Sequence, residues 1–184
     1  MNKQQALKIV VTAGTLAMLV AAQAATTMTK AQYKEEGARI SASYDADKGA
    51  CHSLAGNAKD VCIEEAKAKE KIARAQLEYS YSGKAKDHYH VLVDTAEANY
   101  AVAKEKCDDK AGNAKDVCVK EAKAAETTAL ADAKEHKEIH KARKDAAADT
   151  RDADYSVAKE KCDALAGEAK DNCLAAAKTK FGKD

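Results

Sequence analysis

Proline and tryptophan are absent from the 184 residues, phenylalanine occurs once, and aromatics make up 4%. Sandwiches and barrels need aromatic and β-branched strands punctuated by Gly/Pro turns, so those folds are excluded. The eight glycines form no G-x-G-x-x-G or P-loop string, which argues against a dinucleotide-binding or phosphate-cradling enzyme. No charge sign dominates either, with 31 Lys and Arg against 30 Asp and Glu, interspersed along the chain. A nucleic-acid binder would show a basic stripe interleaved with aromatics, and an anionic membrane surface would also select for a basic excess. What is abundant is alanine, at 43 residues or about 23%, together with 33% charged residues. Alanine, lysine and glutamate are strong helix formers, so the fold class expected is all-α.

The first segment reads as a secretory signal peptide. Lys3 and Lys8 form a short basic start, and Ile9 to Ala22 is an uncharged, mostly apolar run. Ala22-Gln23-Ala24 follows as a small-x-small cleavage site, with cutting expected before Ala25. The run falls short of the roughly 20 residues a spanning helix needs, which disfavours an uncleaved anchor. No cysteine follows it to carry a lipid. Cleavage leaves an exported chain of about 160 residues with 29 basic and 30 acidic side chains and no second run of spanning length.

An internal repeat organises the rest. Tyr44 to Ala68 reads YDADKGACHSLAGNAKDVCIEEAKA, Tyr100 to Ala124 reads YAVAKEKCDDKAGNAKDVCVKEAKA, and Tyr155 to Thr179 reads YSVAKEKCDALAGEAKDNCLAAAKT. The three align without gaps at periods of 56 and 55 residues, and all six cysteines fall within them. A repeat of this length is one supersecondary unit. In the middle copy, Tyr100 to Ala111 contains no breaker. Gly112 stands where a helix end favours positive φ, Asn113 is a preferred N-cap, and Asp116 suits a first turn. The third copy has Glu168 in place of the asparagine. Each unit is thus expected to be an αα-hairpin with the helix break at the glycine.

Cys107 lies five residues before Gly112 and Cys118 six after, so both stand at nearly one height above the turn. Facing Cα atoms in packed helices come within disulfide reach. The expected bridges are Cys51–Cys62, Cys107–Cys118 and Cys162–Cys173, consistent with an even cysteine count behind a signal peptide. Zinc would require four ligands at short spacing, and a redox catalyst a C-x-x-C string, which is absent. Were the helix to run straight through Gly112, the paired cysteines would stand about 16 Å apart and bridge chains instead; the Gly-Asn break opposes that. Each short loop closed is worth roughly 2–3 kcal/mol in the chain-entropy account. The bridges matter because Leu, Ile, Val and Phe number only 18 after position 24, a level at which disorder competes with folding. Elongated, coiled-coil-like hairpins are expected, not a compact globule.

The units divide as 25–84, 85–140 and 141–184, after the leader at 1–24. A helix is expected over Ala58 to Leu77, with the chain breaking at Tyr79-Ser80-Tyr81-Ser82-Gly83 and resuming near Lys86. From Ala114 no glycine occurs before Gly167, which predicts either one helix of about 50 residues or two with a bend near Thr150. The last helix is expected over Ala169 to Lys180.

His136 and His140 are four residues apart, so a helix puts both imidazoles on one face as a metal-chelating pair. The string HKEIH differs from the helical zinc-protease motif in having Lys137 where the motif has its general base, so protease chemistry is rejected. The plainer reading is two solvated histidines on a charged helix. His88 and His90 point to different sides of a helix, and His52 occurs in one copy only. Tyr44, Tyr100 and Tyr155 lie two turns from each first cysteine and read as packing residues; Tyr100 should face Ala125. No nucleophile stands beside a base in a recognisable array, so no catalytic residue and no cofactor are assigned.

The repeat strings resemble a family of small exported Ala/Lys-rich helical repeat proteins of β-proteobacteria, loosely described as cell-envelope or TolA-like. That likeness covers nearly the whole mature chain. It implies a periplasmic location and carries no activity or functional residues with it. A second similarity, in the pattern from Cys162 to Cys173, is to the short repeats of phosphate-starvation-inducible periplasmic proteins, although the cysteine spacing is shorter here. Two functional expectations follow. The first is a non-catalytic envelope protein, acting as scaffold, structural element or stress-protective binder through self-association or contact with another envelope protein. The second is a transition-metal binding or buffering protein using His136 and His140, with His88 and His90 as further donors. A chain that stays disordered until bound is the remaining alternative.

Overall fold

The computed structural model describes residues 28–183. The expected signal peptide, residues 1–24, lies outside the described residues. Five α-helices follow in order: α1 (Lys30–Ala50), α2 (Gly56–Ser82), α3 (Ala85–Lys106), α4 (Gly112–Asp163) and α5 (Gly167–Phe181). Short 3-10 turns at Cys51–Ser53 and Cys107–Asp109 follow α1 and α3, and no strand occurs among the described residues. The fold is therefore all-α, with antiparallel hairpins α1–α2, α3–α4 and α4–α5. Among the described residues no helix is long and apolar enough to cross a membrane.

The first helix starts on a full capping box. Thr29 Oγ1 accepts from the Gln32 amide at 3.2 Å, and the Gln32 side chain accepts from the Thr29 amide at 2.8 Å. This occupies amides that a helix start otherwise leaves unpaired.

The hairpin turns differ from the expected design. The first helices end at Ala50 and Lys106, not at the glycine, and the following cysteines still hold right-handed helical φ/ψ. The cysteine carbonyl then accepts from the third residue on, as in Leu54 to Cys51 at 3.1 Å and Lys110 to Cys107 at 3.0 Å. Ala55, Ala111 and Ala166 are extended, and Gly56, Gly112 and Gly167, at φ of 57°, 54° and 57°, open the next helix. Asn57 and Asn113 are not caps; the N-cap residues are those alanines, without a side-chain bond. A single-residue turn fails because one Cα step covers about 3.8 Å while helix axes stand 8–10 Å apart. The stretch from cysteine to alanine makes that crossing, and the glycine's left-handed backbone turns the chain into the second helix.

One other boundary moves, and one open alternative is resolved. The second helix continues through Tyr79-Ser80-Tyr81 to Ser82, and Gly83 at φ 62° ends it, its amide bonding Tyr79 carbonyl at 2.8 Å. The fourth helix is one element of 52 residues without a break near Thr150, about 78 Å long. It crosses position 140, so the second and third units share a helix.

Among the described residues, substantial contacts join only consecutive helices, with α2 against α3 the most extensive. The buried alanines show why the helices form a single layer. Ala66 and Ala68 are both buried in α2, as are Ala96 and Ala98 in α3. Residues two apart are about 200° apart around a helix, so each middle helix buries two opposite sides. Ala66 lies with Tyr44 and Ile40 of α1, and Ala68 with Val102 and Ala103 of α3. Ala96 lies with Ala122 and Ala129 of α4. Small side chains let the backbones approach closely. Leu77 is the one large aliphatic residue buried among those described. Exposed ion pairs such as Lys106–Glu65 at 2.7 Å and Lys69–Asp47 at 3.1 Å cross the helix seams, each worth little in water.

Within α4 the buried residues are Ala122, Glu126, Ala133 and Cys162. The stretch from about 134 to 150 is almost wholly exposed. On one side of this span α4 packs on α3; on the other it packs on α5, with Tyr155 and Phe181 rings 6.2 Å apart.

Candidate functional site

The three aligned units place the same residues alike. Cys51–Cys62, Cys107–Cys118 and Cys162–Cys173 are disulfides with Cα–Cα distances of 5.7, 5.7 and 5.6 Å. The first cysteine of each pair is fully buried, and the alanine one turn beyond the second is buried as well: Ala66, Ala122 and Ala177. Tyr100 faces the alanine strip of α4 that includes Ala125, as its register requires, and carries the Lys123 ammonium over its ring at 5.0 Å. That ammonium also bonds the buried Glu126 carboxylate at 2.6 Å, which raises the lysine's affinity for its proton. Disulfides of this kind form and persist in oxidising, exported compartments.

Each of the last two turns adds an ion pair at its tip, Lys115–Asp108 and Lys170–Asp163, both at 2.8 Å. The lysine holds the Asp163 carboxyl below its ordinary value, first through the hydrogen bond and then through charge, and the partner lysines are raised in return. The first copy has His52 at the aspartate position, so the anionic half of the pair is missing there.

The histidines gather at the other end of the second hairpin. His136 and His140 lie on one face of α4, as their spacing requires, and both are exposed. His88 of α3 joins them, lining the same cavity of about 70 Å³ together with Tyr79, Tyr89 and Lys137. The His88 ring lies 4.9 Å from that of Tyr79, which continues from the preceding helix across the Gly83 turn. The Lys137 ammonium sits 4.9 Å over the Tyr89 ring. His90 is not among the lining residues; it leans on Tyr89 at 6.0 Å between centroids. Among the described residues no three His, Cys, Asp or Glu side chains already stand gathered at metal-binding spacing.

Reading each helix separately put His88 and His90 together as further donors, without showing that His88 alone stands opposite His136 and His140. The available signal was register: His88 lies 24 residues before Gly112 and His136 24 after it. In an antiparallel hairpin, equal counts from the turn mean equal height. Neutral imidazoles at this height can donate nitrogen pairs to a borderline metal ion, while the tyrosine walls and Leu92 supply an apolar lining. No protein-family model, curated protein or solved structure matches the chain.

Proposed function

We propose that this protein is a non-catalytic helical component of the periplasm, exported by cleavage before Ala25. It serves as a structural scaffold or stress-protective binder at the cell envelope. The observation that carries this reading is the single-layer helix array extended by α4, whose stretch from about 141 to 150 is largely exposed between two stapled hairpins. Such a shape presents long helical surface instead of an enclosed chamber. What recurs in the three units is packing chemistry: cystine, tyrosine and alanine. The histidines do not recur. The surface offered is for a second copy or another envelope protein.

Site-specific photo-crosslinking in the living cell tests this. A photoreactive residue at Lys141, Lys144 or Asp149 on the bare span should give discrete adducts of defined mass. The same residue at Arg39 on α1 serves as the comparison. Absence of adducts at every span position, with protein present in the periplasmic fraction, would overturn the scaffold reading. N-terminal sequencing of that fraction should begin at Ala25.

A further inference from the structure

We propose that His88, His136 and His140 form a transition-metal site that fastens α3 to α4. His136 and His140 are one helical turn apart on one face, the spacing at which two imidazoles chelate a single ion. His88 comes from the opposite helix at the same height and lines the same cavity. As placed, the three rings do not converge. All three residues are exposed, and the site requires their side chains to rotate between staggered wells, with His88 leaving the Tyr79 ring it now rests on at 4.9 Å. The cavity, about 70 Å³, leaves room for a water or two to complete the coordination shell. Neutral imidazole donors suit zinc, copper or nickel and not calcium or magnesium. Lys137 is the one formally charged residue in the lining, and it is drawn onto the Tyr89 ring. Its repulsion moderates affinity without occupying the donors.

The site complements the disulfide. His88 lies 19 residues before Cys107, about 28 Å along the hairpin. The disulfide closes the hairpin at the turn, and a bound ion would close it near the far end.

The test is titration of the oxidised full chain with Zn²⁺, Ni²⁺ and Cu²⁺, followed by calorimetry and thermal melting. One ion per chain and a rise in melting temperature are expected. His140→Ala and His136→Ala should each weaken binding at least tenfold. His88→Ala should weaken it about tenfold, leaving a two-histidine remnant, and His88→Gln should do the same. His52→Ala and His90→Ala should leave affinity unchanged. Circular dichroism of each variant reports that the helices persist. In Cu²⁺-loaded protein, electron paramagnetic resonance should show three nitrogen ligands, falling to two in His88→Ala. No binding at millimolar metal would overturn the proposal. So would a His88 variant that binds like wild type, which would reduce the site to simple chelation by α4 alone.

Discussion

His88 and His136 stand 24 residues to either side of Gly112 and meet across one cavity. The pairing follows from how the hairpin is closed. With Cys107 and Cys118 tied at the turn, the two helices cannot slide past one another, so residue counts from the turn translate into heights. The same rule places Tyr100 against the alanines of α4.

The third disulfide carries the most local consequence. The fifth helix makes substantial contact with α4 only. Replacing Cys162 and Cys173 together by serine should cost roughly 2–3 kcal/mol in that hairpin. Hydrogen exchange should show protection lost over 167–181 while α2 and α3 stay protected. Uniform loss across all helices would mean that the array melts as one unit.

Opposite-face burial gives a sharper test of the single layer. Ala96→Leu and Ala98→Leu should both destabilise by about 1–3 kcal/mol through overpacking, although their side chains point to opposite sides of α3. Ala142→Leu, on the exposed span, should fall within about 0.5 kcal/mol of wild type. Chemical denaturation measures all three. An ordinary amphipathic helix would tolerate one of the two α3 substitutions.

Acid should weaken the third turn. Lys170 depresses the Asp163 carboxyl below 3.8 in the folded chain. The unfolded chain therefore takes up the proton first, and stability from this pair is complete above about 3.8 and is lost as pH falls toward the folded value. Melting temperatures of wild type and Asp163→Asn should differ most near neutrality and converge in acid. Both groups face solvent, so the difference is small and shrinks with salt. A gap that widens below pH 3.8 would contradict the assignment.

Proline in the bare span should separate the two halves of α4. Ala147→Pro should cost about 3 kcal/mol of local helix and kink the element. Neither flanking hairpin rests on this stretch, so hydrogen exchange in α3 and α5 should be unchanged. Collapse of either hairpin would show that the span is structurally coupled to its ends.

The hairpins, their cystines and the tyrosine contacts were legible because cysteine-to-glycine spacing is arithmetic on a rigid helix. The turn itself was not. Glycine followed by asparagine has the pattern of a stop and a cap, yet Gly112 opens α4 because the chain must first cross between two axes. The Tyr-Ser-Tyr-Ser string resembled a break by composition, but Tyr81 lies 4.7 Å from Tyr33 of α1 between ring centroids, and the helix gains by continuing. Helix order in space was hidden as well. Alanine is too weakly apolar to mark a buried face, so Ala66 and Ala68 look alike until their neighbours are seen.

The bare span of α4 also sets a heading. A helix turns about 100° and advances about 1.5 Å with each residue. The direction in which α5 projects from the plane of the other helices is therefore counted out by the residues between Ala133 and Cys162. One residue inserted there would swing the third hairpin by about 100° like the hand of a clock. Seven would return it to within about 20° of its original bearing, some 10.5 Å further along the axle. Length in this stretch is thus an angular instruction, and a partner that touches both hairpins would read it as one.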